Sequence, residues 1–254
     1  MKFLITGGAG FIGSHLTESL LADQHQVAVI DDFSTGSPEN LSSVAGNPNL
    51  EVIAEDIISS PRLEQLVHEA DCVIHLAAAV GVELVVHDPV RTIRTNVEGT
   101  DRVLTYAAEY SKRCIMASTS EVYGKSAKPF FQESDDLCIG ASTNSRWSYA
   151  CSKLLDEFLL MAFHRNRKLP GTVVRFFNTV GPRQTGRYGM VLPRFVSAAV
   201  RNAPLSVYGS GEQTRCFCHV QDVIRALKLL IPSEQSYGKV FNIGTSRRIS
   251  IRNL

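Results

Sequence analysis

The strongest constraint on this chain is a run of glycines near its start. Lys2–Thr6 reads as a short apolar strand and Phe11–Ala22 as a helix, and Thr6-Gly-Gly-Ala-Gly-Phe-Ile-Gly13 joins them. Gly7, Gly10 and Gly13 make G-x-x-G-x-x-G, while Gly8, Gly10 and Gly13 make G-x-G-x-x-G. Glycines at these spacings permit a tight turn, let backbone approach a pyrophosphate and let the helix pack closely on the strand. The first helical turn, with Phe11 and Ile12, then offers unpaired N–H groups and a positive dipole end to phosphates. Asp31, followed by Asp32, ends the next strand, Gln26–Ile30. A carboxylate there accepts both ribose hydroxyls of an adenosine and repels a 2′-phosphate, which implies NAD rather than NADP. Asp56-Ile57, after a third strand, is read either as flanking the adenine or as plain surface.

Further along, β-branched runs alternate with helical patterns. Leu50–Ala54, Cys72–Leu76 and Arg113–Ala117 read as strands, and Arg62–Glu69 and Pro89–Glu109 as helices. Near-continuous apolar strands such as Val27-Ala-Val-Ile30 predict an α/β, Rossmann-like doubly wound fold, a parallel sheet with helices on both faces. Lys125–Ser145 is polar and aperiodic and reads as a long loop of the functional kind. Helices follow over Tyr149–Arg165, Pro193–Arg201 and Val220–Ile231, and strands over Thr172–Phe177 and Leu205–Tyr208. The chain divides into a nucleotide-binding domain, 1–177, and a smaller lobe, 178–254, interleaved with late elements of the first.

Composition acts by exclusion. The 254 residues carry 26 Lys and Arg against 25 Asp and Glu, a formal net charge of +1. That balance gives no electrostatic footprint for nucleic acid or an anionic membrane. With 44% hydrophobic and 20% charged residues the chain suits a globular protein, not a disordered one. Its longest apolar stretch, Cys72–Val86, contains His75 and Glu83 and is too short to span a bilayer. No secretory signal is recognised at the start. The six cysteines form no CxxC pair. Cys216 and Cys218 alternate in a strand-like segment and read as small buried residues on one face, so no metal site is expected. The expectation is a reduced, cytoplasmic protein.

Tyr149-Ala-Cys-Ser-Lys153 opens a helix, and its i, i+4 spacing puts phenol and ammonium on one face. An ammonium beside a phenol favours the phenolate, so Tyr149 is a candidate general base near neutral pH. Taken with Asp31-Asp-Phe-Ser-Thr-Gly36, His75-Leu-Ala-Ala78, Asn96-Val-Glu-Gly-Thr100, Ser118-Thr-Ser-Glu-Val-Tyr-Gly124, Arg175-Phe-Phe-Asn-Thr-Val-Gly-Pro-Arg183 and Gln213-Thr-Arg215, these residues run in one order along the chain. The chain resembles the extended short-chain dehydrogenase/reductases of the sugar-nucleotide epimerase/dehydratase type.

The resemblance implies roles. Thr119 would hold the sugar O4 hydroxyl and complete a Thr119–Tyr149–Lys153 triad, with Glu121 as a further catalytic group and Ser120 on substrate. Leu76, Ala77 and Ala78 would line the NAD, and Asn96 would support it. Asn178 would contact the nucleotide sugar, and Leu205, Val207 and Tyr208 the base. Arg215 would bind diphosphate or a sugar carboxylate. Arg187 lies in a loop, Gln184–Met190, that departs from the simplest hexose epimerases, and is expected on substrate.

The implied chemistry is oxidation at C4 of a UDP-sugar by bound NAD, with Tyr149 taking the O4 proton. Returning hydride to the other face gives a 4-epimerase, the first reading, with UDP-glucose or UDP-glucuronate as substrate. Loss of carbon dioxide from a uronate gives the alternative, a UDP-glucuronate decarboxylase. Dehydratases of the type carry Asp-Glu where this chain has Ser120-Glu121, so that branch lacks its usual acid. An NAD-binding sensor or scaffold is a third class, against which the intact triad argues. The resemblance also implies a homodimer through the Pro89–Glu109 and Tyr149–Arg165 helices. Related enzymes run to about three hundred residues, so the substrate lobe is expected to be incomplete at Leu254, with NAD binding less affected than substrate affinity.

Overall fold

A computed structural model describes residues 1–79, 88–185 and 190–254. Its centre is a seven-stranded sheet built from β1 (Lys2–Thr6), β2 (Gln26–Ile30), β3 (Leu50–Ile53), β4 (Cys72–His75), β5 (Arg113–Thr119), β6 (Gly171–Phe176) and β10 (Lys239–Ile243). Two short pairs lie outside it: β7 (Thr179–Val180) with β9 (Cys218–His219), and β8 (Thr214–Cys216) with β11 (Arg248–Ser250). The large sheet runs in the order β10-β6-β5-β4-β1-β2-β3, and every neighbouring pair is parallel. The chain reverses its walk across the sheet between β1 and β4. In such sheets a ligand crevice opens at that switch, beyond the carboxyl ends of the strands.

Apolar runs in the strands explain why both faces are covered. One core joins Phe3, Ile5, Val27, Val29 and Ile74 to Leu16 and Leu20 of α1 (Phe11–Ala22) and Val223, Ile224 and Leu227 of α6 (Val220–Leu230). The opposite core joins Leu4, Ala28, Ile30, Val73 and Met116 to α2 (Leu63–Glu69), α3 (Pro89–Glu109) and α4 (Trp147–Arg167). Alternate residues of one strand thus point into different cores, as period-two geometry requires. Helix α3 starts where expected: Asp88 accepts a hydrogen bond from the Arg91 N–H and Pro89 occupies the first turn, where its missing N–H costs nothing. Residues 125–145 contain no helix or strand but are not loose. The ring of Phe131 stacks on Tyr123 at 4.4 Å, and Asn242 donates to the Phe131 carbonyl.

Two expectations are corrected. Residues 205–208 form no strand; they follow α5 (Val191–Val200) as an exposed segment without a ladder partner. Their alternating pattern has no neighbouring edge to pair with, and a strand needs one. Cys216 and Cys218 do not share the face of one strand. Cys216 pairs opposite Arg248 in one small sheet and Cys218 beside Thr179 in the other, so the chain changes sheets at Phe217. Cys218 is buried and Cys216 only half-buried.

Candidate active site

A cavity of about 610 Å³ lies beyond the carboxyl ends of the strands, and the sequence explains its floor. Gly7 follows β1 with φ +71°, and a Cβ there would come within 2.8 Å of the Ala77 nitrogen. At Gly13 a Cβ would fall 2.3 Å from the Gly7 oxygen. Only glycine lets the turn, the helix and the strand β4 exit meet this closely. At Gly10 a Cβ would meet only the Gly7 oxygen, at 3.1 Å. Helix α1 begins there with no side chain capping its first N–H groups, and Phe11, Ile12 and Gly13 line the cavity. An uncapped helix start on a cavity floor is suited to a phosphate.

Asp31 stands at the end of β2. Its two carboxylate oxygens accept hydrogen bonds from the Ala9 and Phe33 N–H groups, each at 2.9 Å. Burial pushes its carboxyl up, and those two N–H groups pull against it. Asp32, Asp56 and Ile57 line the same end, and Leu76, Ala77 and Ala78 form the wall where β4 leaves the sheet. These residues fit a dinucleotide, with adenosine at Asp31, pyrophosphate on α1 and the nicotinamide end toward α4.

At that far end β5 delivers Thr119, Ser120 and Glu121, and α4 delivers Tyr149 and Lys153; all five line the cavity. Thr119 caps the short 3₁₀ turn after β5, its hydroxyl accepting from the Glu121 N–H at 3.2 Å. Burial raises the Tyr149 phenol above its ordinary value, the carboxylates of Glu121 and Asp156 add to this, and the Thr119 hydroxyl opposes them. Glu121 keeps solvent access across the cavity mouth. Desolvation by the wall nonetheless pushes its carboxyl up, against the charge of Arg146. Lys153 is 2% exposed and donates to the fully buried Asp156 at 2.9 Å. One turn further along α4, Glu157 grips Arg175 of β6 in a fork of 3.0 and 2.7 Å. Arg175 also donates to the Tyr123 hydroxyl at 2.8 Å. This bidentate pair fixes α4 against the sheet one turn from Lys153.

Not every expected residue meets the cavity. Asn96 is buried behind the wall: its oxygen accepts from the Ala79 N–H at 2.8 Å and its amide donates to Ser152 at 3.0 Å. It supports the β4 exit rather than touching the cavity, because its side chain is used up tying α3 to α4. Asn178 lines the cavity. Leu205, Val207, Tyr208 and Arg215 are exposed and lie off its described wall; Tyr208 instead packs against Arg194, whose guanidinium carbon sits 4.6 Å from its ring centre. Arg187 lies outside the described residues. Two arginines on the wall were not anticipated as site residues. Arg183 is held by Glu18 at 2.5 Å and by Ser14 at 3.2 Å, and Arg146 stands beside Glu121. Their only signal was their place inside motifs, three residues before Tyr149 and after Gly181-Pro182.

The dinucleotide cradle and the Tyr149–Lys153 helix, meeting on one cavity, define an NAD-dependent oxidoreductive enzyme of the short-chain dehydrogenase/reductase class. The profile of the NAD dependent epimerase/dehydratase family matches residues 3–244, and the chain belongs to that family. It is 42% identical to a UDP-N-acetyl-alpha-D-glucosaminuronate decarboxylase of Bacillus cytotoxicus over the whole chain and 78% of that protein. It is 36% identical to UDP-glucuronic acid decarboxylase 1 of Arabidopsis thaliana, of which it spans 57%. The crystal structure of UDP-glucuronic acid 4-epimerase from Bacillus cereus, with UDP-glucuronic acid and NAD, superposes with a TM-score of 0.88. That comparison has 32% identity and covers all of this chain and 80% of that one. The family's cofactor is NAD, and among the described residues no helix is long and apolar enough to cross a membrane.

Proposed function

We propose that this chain carries the catalytic machinery for decarboxylating a UDP-linked uronic acid through a 4-keto intermediate. The observation that carries this reading is that Thr119, Ser120, Glu121, Arg146 and Tyr149 line one cavity. Sequence identity to two uronate decarboxylases supports it, and this ranks decarboxylation above the 4-epimerisation read first from the sequence. When bound, NAD supplies the two-electron acceptor for the sugar C4–H bond. Tyr149 takes the O4 proton while Thr119 holds that hydroxyl in line. The resulting 4-keto uronate is a β-keto acid, so its C5–C6 bond breaks and carbon dioxide leaves. The electron pair passes into the C4–C5 enolate. Glu121, whose carboxyl is raised, would return a proton to C5, and Arg146 would meet the carboxylate before it departs. The C4 carbonyl would then take back the hydride held by the reduced cofactor while Tyr149 returns its proton to O4, which balances the sequence as a UDP-pentose, carbon dioxide and restored NAD.

Epimerisation stays as the second reading, because the UDP-glucuronic acid 4-epimerase superposes closely and shares the oxidative half of this chemistry. Incubating the protein with NAD and UDP-glucuronic acid, then reading products by NMR, separates the two. A UDP-pentose with release of carbon dioxide is expected, and a UDP-hexuronate inverted at C4 would overturn the decarboxylase reading. The domain division at residue 177 and a homodimer belong to the same proposal. The dimer is supported by exposed Val90 and Ile93 on α3 and exposed Leu155 and Phe158 on α4, an apolar face of the kind that associates.

A further inference from the structure

We propose that Asp156 is a positioning residue that compensates the charge of Lys153 and so sets the pH at which Tyr149 releases its proton. The inference rests on the reading of Tyr149 as general base, but on nothing about the sugar. Lys153 and Asp156, three residues apart on α4, form an ion pair of 2.9 Å with side chains 2% and 0% exposed. The carboxylate Oδ2 takes this bond, while Oδ1 is buried with no partner. A buried carboxylate is expensive, and one kept against a buried ammonium calls for a reason beyond packing.

The surroundings supply one. Burial pushes the Asp156 carboxyl up, while the Lys153 ammonium it pairs with and the Thr100 hydroxyl, reaching from α3, favour its charged form. Thr100 also meets His75 Nε2 at 3.0 Å, and His75 Nδ1 meets the Thr6 hydroxyl at 2.7 Å. Thr6 in turn accepts from the Ala77 N–H at 3.2 Å. A buried polar line thus runs from Lys153 to the wall of the glycine turn. His75 cannot share the positive charge, since burial and the nearby ammonium pull its pKa down to about 3. From β6, Arg175 is committed to Glu157 of α4. From the turn after β5, Glu121 faces Tyr149 and is itself opposed by Arg146. Asp156 is therefore the carboxylate that pairs with Lys153 among the described residues.

A lone ammonium beside a phenol would pull the phenol's pKa down strongly, whereas a neutral ammonium–carboxylate pair does so weakly. Asp156 restrains Tyr149 from ionising too early and holds Lys153 at a fixed place on the helix.

The test is a tyrosinate absorbance titration of the protein without substrate. The Tyr149 signal is isolated by subtracting Tyr149→Phe in each background. In Asp156→Asn, which keeps an acceptor for Lys153 and removes the charge, the Tyr149 midpoint is expected to fall by about one pH unit or more. The acid limb of the kcat profile should move down with it. Thr100→Val, which weakens the charged form of Asp156, should shift the midpoint the same way by less, and decides the matter if Asp156→Asn does not fold. A midpoint that stays put or rises in the folded variant overturns the proposal and leaves Asp156 with a packing role alone. Because the titration needs no sugar, a downward shift in a protein inactive on UDP-glucuronic acid would count against the substrate reading only.

Discussion

Around the glycine turn, added Cβ atoms at Gly7 and Gly13 would fall inside contact distance of backbone, and the flanking strands are buried over Phe3–Thr6 and Cys72–His75. In the segment from α5 onward the packing is different. Helix α5 has no buried residue, and every residue from 201 to 210 is exposed. The nucleotide end of the cavity is thus shaped by main chain that cannot move without breaking a core. The segment carrying the expected base contacts is held by surface pairings such as Arg194 against Tyr208. Local opening costs least where few apolar contacts are made. The two regions therefore differ in how strongly the fold itself dictates their geometry.

The sharpest challenge to this contrast is chemical. If the rigid half holds the reaction as well as the cofactor, Tyr149→Phe should lower turnover by about 10²–10⁴-fold, with NAD affinity and thermal unfolding nearly unchanged. Steady-state kinetics beside NAD titration check this; unimpaired turnover would move the base elsewhere. Next in size is Gly13→Val. Its side chain would need room taken by the Gly7 carbonyl and Gly8 Cα. A stability loss of about 1–3 kcal/mol is expected, together with loss of measurable NAD binding by calorimetry. A tolerant Gly13 would mean the turn is softer than its packing implies.

A third measurement uses pH. His75 is held neutral in the folded protein, its pKa lowered from 6.5 to about 3. The unfolded chain therefore binds more protons than the folded one between those values. Its contribution to stability is intact above pH 6.5 and is lost as the pH falls toward 3. Urea unfolding of His75→Gln should accordingly depend less on pH across that window than the parent does; identical slopes would show that His75 is not the buried neutral group. The smallest effect belongs to the exposed segment. Tyr208→Ala removes a surface cation–π contact and should cost no more than about 1 kcal/mol by thermal melting. A larger loss would show that the segment is tied down more firmly than its exposure indicates.

The same division explains what could be read in the chain beforehand. The glycine turn, Asp31 and the Tyr149/Lys153 pair were legible because each follows from backbone constraint or helical spacing, which are local. The strands β1 and β2 and the helices α1 and α3 appear at their anticipated bounds for that reason. Asn96 was legible as important but not as a buried brace, since its partners Ala79 and Ser152 come from two other elements. Residues 205–208 read as a strand because alternation is local, while the absence of a pairing edge is not. Asp156 drew no attention at all: an acid on an amphipathic helix reads as solvated until α3 is seen to cover it.

The last strand of the nucleotide sheet, β10, comes from residues 239–243, after the whole 178–238 segment, and pairs with β6 in register from Lys239 opposite Thr172 to Ile243 opposite Phe176. During synthesis β6 would wait with one hydrogen-bonding edge open until that late segment emerged. Pairings this distant in sequence are slow to form, and open edges invite contact with other chains. The cofactor sheet of this chain is thus closed by a segment made well after β6, and the β6 edge stays open to a wrong partner until then.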